Sequence, residues 1–432
     1  MPLLQSFRNF FMKNDFDFDA PVITLYGFHP QFRIFFAAMG IFFNNRESIL
    51  RFVWPVICIK LAIVAVTLEG IFVYHGLEVK DYTFATECFC YFVLLGILPV
   101  VYVPIMLNKQ SILQLADDMN NDFIYISSLG PKYRESFFKG HLVIYKLCYA
   151  WLAFTLIIAV MYITSTMFPL LWLCLFATQD ENMIRPLMFP MWLPKDDPYR
   201  TPNYEIFMTI QLIFCFLYIQ TFCVYVYLEF HILLHYYNLM ELLIMDFGVI
   251  FEGLDESVVY LPSSDPRRVE VQNALNKRMG RIIEWHLSIF KAIETVSSVY
   301  GPPLCYQVMF TALALCLMGY QIADKLDHGK VDLIFCMLFV GALIQLWIPC
   351  YLGTMIRNKG FAVGDACWNC GWHETSLSRM LRNDILILIY RSQKPVVIKF
   401  TGLPHIQLET FSSIVSSAYS YFNMLRQYNA EM

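Results

Sequence analysis

Charge is scarce in this chain. Only 15% of its 432 residues are Asp, Glu, Lys or Arg, where an ordinary soluble domain has about a quarter. With 58% of the residues hydrophobic, lipid is the expected solvent for most of the surface. A basic excess is missing too. The formal charge of −4 gives no face that could displace counterions from a phosphate backbone, which excludes a nucleic-acid partner. The first thirty residues have no uninterrupted apolar stretch of the secretory kind, because Asp15, Asp17 and Asp19 break it, so the first spanning helix is expected to do the targeting. No Asn-x-Ser/Thr sequon occurs, which suits outside segments that are mostly short. Neither a Gly-rich phosphate loop, a nucleophile elbow nor a paired carboxylate set is present, and His373-Glu374 fails the zincin pattern because position 377 is Leu. Enzyme activity therefore has no support.

Cysteine is plentiful, at thirteen, but most copies sit in or beside apolar runs and are expected to be small buried hydrophobes. Cys367, Cys370 and His373 have spacings that suit zinc. With three local ligands and no second cluster, packing around Trp368 and Trp372 is the competing reading, and no metal or cofactor is expected.

A bilayer core of about 30 Å takes roughly 20 apolar residues as helix. Six runs meet that need: Phe52 to Tyr74, Phe84 to Leu107, His141 to Met167, Glu205 to Leu228, Ile293 to Ala323 and Asp332 to Ile356. Ile385 to Leu403 is kept out of the membrane, since Arg391, Lys394 and Lys399 would each cost about 2.5 to 3.5 kcal/mol near its centre. The seventh span is Leu403 to Leu425. Twenty-one of the 31 Lys and Arg side chains fall on the side of the N-terminal arm and seven on the other. This excess places the N-terminus in the cytoplasm and, after seven crossings, the C-terminus outside. The expectation is an all-α membrane protein of seven transmembrane helices. It divides into a cytoplasmic arm (1–51), a six-span ligand-binding bundle (52–356), a cytoplasmic anchor segment (357–402) and a seventh span with a short outer tail (403–432).

Helical periodicity continues into the cytoplasmic connections. Leu275, Met279, Ile282 and His286 form one stripe, and His231, His235, Asn238 and Glu241 another beyond the fourth span. With the amphipathic segment at Leu377, Leu381, Ile385 and Leu388, these extensions are expected to pack as an anchor bundle. No internal repeat or low-complexity tract appears. Phe168 to Asn203 carries six prolines among apolar residues, which rigidify a folded loop. It reads either as a connector or as a lid over a pocket.

Charged residues at Lys60, Glu69, Glu87, Lys146, Lys291 and Glu294 read as snorkelling side chains or as coupling-ion ligands of a secondary transporter. A transporter also needs interrupted helices at matching positions of two repeats. Only Gly301-Pro302-Pro303 interrupts a span strongly, and it has no counterpart. In the last span Thr410, Ser413, Ser417 and Ser420 form a hydroxylated face. Close helix packing and the border of a water-filled path both suit it.

From Trp372-His373-Glu374 through Arg391-Ser392-Gln393-Lys394-Pro395 to Leu408-Glu409-Thr410-Phe411 and Tyr419-Ser420-Tyr421-Phe422-Asn423-Met424-Leu425-Arg426-Gln427, the chain resembles the signature region of insect odorant receptors. The resemblance implies a tetrameric, ligand-gated, non-selective cation channel of the plasma membrane, with its pore lined by the last helix. Aligned on Tyr421-Phe422, the residues that correspond to the family's narrow gate are Met424, Gln427 and Tyr428. The shared co-receptor's long insertion between the fourth and fifth spans is absent, so the chain is similar to a tuning subunit that joins the co-receptor. Met191 to Tyr204 and Gly301-Pro302-Pro303 look like moth receptors, including the pheromone-detecting branch. The family's odorant pocket implies candidates among the outer halves of the spans: Tyr91, Phe92, Phe154, Met161, Tyr162, Phe207, Gln211, Phe214 and Met309. Ordinary packing competes for each. The rivals are a gustatory channel, with non-volatile ligands, and the secondary transporter.

Overall fold

A computed structural model describes residue 13 and residues 16–41, 50–176, 185–194, 196–394, 396–398 and 405–431. Among these the regular elements are all helical. Two short helices, α1 (Leu25–Phe28) and α2 (Pro30–Ala38), begin with local start signals: Thr24 accepts from the Gly27 N–H, and Pro30 sits where a missing N–H costs nothing. Next come α3 (Leu50–Val79) and α4 (Tyr82–Leu107), joined by a two-residue turn. Lys80 takes a left-handed φ of 62° there, and the Asp81 carboxylate accepts from the Phe84 N–H at 3.0 Å. Gly76 completes the corner, because a Cβ would stand 3.0 Å from the Ala85 backbone.

After α5 (Lys109–Ser127) the long helices follow: α6 (Pro131–Phe176), α7 (Asn203–Gly248), α8 (Pro266–Asp327) and α9 (Leu333–Trp368). At 1.5 Å per residue the 62 residues of α8 reach about 93 Å, three times the thickness of a bilayer core. Such helices must project beyond the membrane, and they do so at the end that carries α1 and α2. Six helices, α3, α4 and α6 to α9, are long and apolar enough to cross. The final helix, α11 (Leu408–Glu431), is not among those six, because its serines together with Glu409, Asn423, Arg426 and Gln427 make it more polar. Between α9 and α11 lies α10 (Arg382–Ser392), within the segment expected to anchor the bundle. The α9 helix itself runs twelve residues past the predicted end of the sixth span.

At the arm end the projecting helices enclose a second core. Phe28, Phe32 and Phe36 are fully buried there. So are Met119, Phe123 and Ile126 of α5, a helix within the segment that connects the second and third predicted spans. Polar ties lock the same end. The Arg281 guanidinium grips buried Asp246 through two bonds of 2.7 and 2.5 Å, joining α8 to α7, and Lys359 of α9 pairs with Glu241 of α7.

Four histidines meet in this core. Hydrogen bonds of 3.2, 3.2 and 3.1 Å run from His29 to His141, to His235 and to the Asp122 carboxylate. Donation from Nε2 toward Asp122 along His29, His141 and His235 satisfies the row and leaves His29 Nδ1 as an unpartnered acceptor. Burial, with His231, His141 and Lys13 nearby, holds the His29 pKa well below its ordinary value. Burial, with Arg391, lowers His286 in the extension of α8 to about 4. Because the unfolded chain protonates these groups near pH 6.5 and the folded one does not, their penalty is absent above that pH. It grows as pH falls below it, by up to about 1.4 kcal/mol per unit and per histidine. Melting in detergent is expected to be highest above pH 7 and to drop steadily toward pH 5, with a shallower slope in His29→Asn.

Candidate functional site

Toward the opposite end, called here the loop end, α4, α6, α7 and α9 separate around an apolar cleft. Two adjoining cavities of about 70 and 80 Å³ share Leu94, Ile158, Ala159, Tyr218, Ile219 and Leu338 as walls. Helical spacing explains the set: Tyr91, Leu94 and Leu95 stand on one face of α4, and Phe154, Thr155, Ile158, Ala159 and Tyr162 on one face of α6. The cavity nearer the loop end presents no polar surface. The deeper one reaches Thr155 and Gln345. Thr155 donates to the Trp151 carbonyl at 2.9 Å and accepts from the Cys223 thiol at 3.4 Å, which leaves its oxygen one lone pair, and the Gln345 side-chain amide has no partner among the described residues. The lining thus suits an elongated apolar molecule with one polar end.

The candidates named from sequence fall into three groups. Tyr91 and Tyr162 line the cavity nearer the loop end and Phe154 the deeper one. Gln211 and Phe214 are buried beside it, Gln211 through bonds to the loop segment at Met188 and Phe189. Phe92 packs toward Gly70 of α3, Phe207 joins Phe72, Cys88 and Met191, and Met161 and Met309 are 39% and 60% exposed on the outside of the bundle. Phe92 and Met161 sit on another face of their helices from the wall, Phe207 lies about two turns beyond Cys215 on the same stripe of α7, and Met309 belongs to α8, which lines neither cavity. Phe189, Tyr218, Ile219 and Leu338 were missed. Cys215, Tyr218, Ile219 and Phe222 recur at i, i+3, i+4 and i+7, the one signal that could have found the α7 wall.

The last helix presents two faces. Ile414 and Ala418 are buried, against α8 and α9, while Ser413, Met424 and Gln427 are exposed and Thr410 and Ser417 half-buried along a single stripe. The Tyr428 side chain lies outside the described residues. Seating comes from α9: Gly353 leaves room for the Ile406 carbonyl, which a Cβ would meet at 2.2 Å, Thr354 Oγ1 accepts from the Leu408 N–H at 3.0 Å, and Arg357 pairs with Glu409 at 3.5 Å. The α9 helix thus contacts the start of α11 and also carries Leu338 and Gln345 of the cleft. Cys367 is buried against the Ile385 carbonyl, and the exposed His373 lies beside Glu374.

Comparison with known proteins gives concordant results. The family model described as 7tm Odorant receptor matches residues 83–419. Odorant receptor 67c of Drosophila melanogaster is 30% identical over 34% of this chain and 35% of its own length. For odorant receptor 82a of the same fly the identity is 25% over 58% of each. The matched stretches thus span between about a third and three-fifths of those relatives. In fold, the chain is similar to the insect olfactory receptor OR5 from Machilis hrabei solved in complex with eugenol, with a TM-score of 0.70 at 16% identity, covering 92% of this chain and 97% of that one. The chain belongs to the odorant receptor family and is a multi-pass protein of the plasma membrane.

Proposed function

We propose that this chain is the ligand-binding subunit of an odorant-gated, non-selective cation channel, assembled with shared co-receptor subunits as a heterotetramer. The arm end lies in the cytoplasm and the loop end outside, and the chain serves in the dendrite of an olfactory neuron. The observation that carries the reading is the cleft itself, apolar where it nears the loop end and ending on Thr155 and Gln345. Burying ten methylenes there gives about 8 kcal/mol before the costs of immobilisation, enough for micromolar affinity without an ion pair. Eugenol, named with the OR5 structure, has the same chemistry of an apolar body with polar groups at one end. The stripe from Thr410 through Ser413 and Ser417 to Met424, Gln427 and Tyr428 borders the ion path. A ligand opens it only by binding the open arrangement more tightly, and α9 is the element that touches both sites.

Cells that express this chain with the co-receptor are expected to show a concentration-dependent cation current to some members of a panel of apolar volatiles of six to sixteen carbons. Silence across the panel, with both subunits labelled at the cell surface, contradicts the reading.

A further inference from the structure

We propose that Phe189 closes the outer end of the ligand cleft and sets the length of molecule admitted, and that Gln211 is the positioning residue that holds it there; this rests on the cleft being the odorant site. Phe189 belongs to the stretch 185–194, which has no helix to supply its backbone partners, yet its side chain is 6% exposed and faces the cavity. Its ring lies 4.7 Å from that of Tyr91 and 6.3 Å from that of Tyr162.

What fixes a loop residue so deeply is a single side chain. Gln211, 1% exposed, accepts from the Met188 N–H at 2.8 Å and the Phe189 N–H at 3.2 Å. Its Nε2 donates back to the Phe189 carbonyl at 2.9 Å. The amide thereby pairs with both backbone groups of Phe189, as a neighbouring strand would. A carboxylate could not donate, and a thioether cannot donate and accepts only weakly. The Tyr162 hydroxyl adds a bond to the Met188 carbonyl at 3.0 Å, so the wall of the cleft and its closure are one hydrogen-bonded unit. From Thr155 and Gln345 at the inner end to Phe189 at the outer, the site is bounded at both ends of a ligand's long axis.

The test records currents from the full channel with a homologous series of straight-chain primary alcohols and their acetates. Each methylene buried or lost changes affinity about fourfold. Phe189→Ala, with Phe189→Leu as the milder change should the first not reach the surface, is expected to lower the potency of short members and raise that of long ones. The preferred chain length then moves upward. Gln211→Met keeps the volume and deletes all three bonds, and should shift the preference the same way. A folding defect would instead scale every response alike. Preference unmoved in the Phe189 and Gln211 variants, while Ala159→Phe still removes the response, overturns the closure and leaves the cleft standing. If Ala159→Phe is also without effect, the cleft is not the odorant site and both readings fall.

Discussion

Phenylalanine at position 159 is expected to raise the half-maximal concentration of the best ligand at least a hundredfold, with surface expression within twofold of the parent. Ala159 lines both cavities from α6 and is 7% exposed, so a benzyl group there has the cleft as its natural direction. A ligand must then give up the contacts of about four methylenes, or roughly 3 kcal/mol, which is a factor of more than a hundred in affinity. Overpacking usually costs 1 to 3 kcal/mol of stability because a close-packed core has nowhere to put the added atoms, but here the added ring enters space that is already empty. Concentration–response curves beside surface labelling separate the two effects.

Gln427→Arg is expected to act on conduction and leave ligand potency alone. Gln427 is exposed on the same stripe of α11 as Ser413 and Met424. A fixed positive charge about 5 Å from a permeating cation raises its energy by roughly 1 to 3 kcal/mol for effective dielectric constants between bulk water and a protein surface. Single-channel conductance should fall between about fivefold and a hundredfold, most steeply at low salt, where screening is weakest. Because the cleft belongs to α4, α6, α7 and α9, the half-maximal ligand concentration should stay where it was.

Much of the architecture could be read from residues alone. Phe84 to Leu107 was read as a span where the structure has α4 from Tyr82 to Leu107, and the stripe at Leu275, Met279 and Ile282 announced the extension of α8, in which all three are buried. Less visible was α5. Its Ile112, Leu115, Met119, Phe123 and Ile126 have helical spacing, but the segment is too polar to stand out among long apolar runs.

The cleft was legible only in part, for a physical reason. A helix in lipid is apolar all round, so the periodicity that tells a buried face from an outer one in water is missing. Tyr91 could be placed at the right depth, but neighbouring Phe92 could not be told from it, although one step along the helix turns a side chain by about 100°. Met161 beside Tyr162 and Met309 on α8 show the same ambiguity. Phe189 was hidden differently: nothing in a loop of six prolines says which residue folds inward, and its partner Gln211 lies 22 residues on, in the next helix. Only Gln211 itself, a polar side chain in an apolar span, marked the place.

The central claim is that the ligand sits in the cleft between α4, α6, α7 and α9. Its most direct test is covalent labelling of the full channel with an active ligand that carries a diazirine on its alkyl chain, followed by mapping of the modified residues. Adducts are expected on Tyr91, Tyr162, Tyr218 or Ala159, and an excess of the unmodified ligand should suppress them. Labelling confined to outward-facing positions such as Met161 and Met309, or insensitive to that competition, would contradict the account.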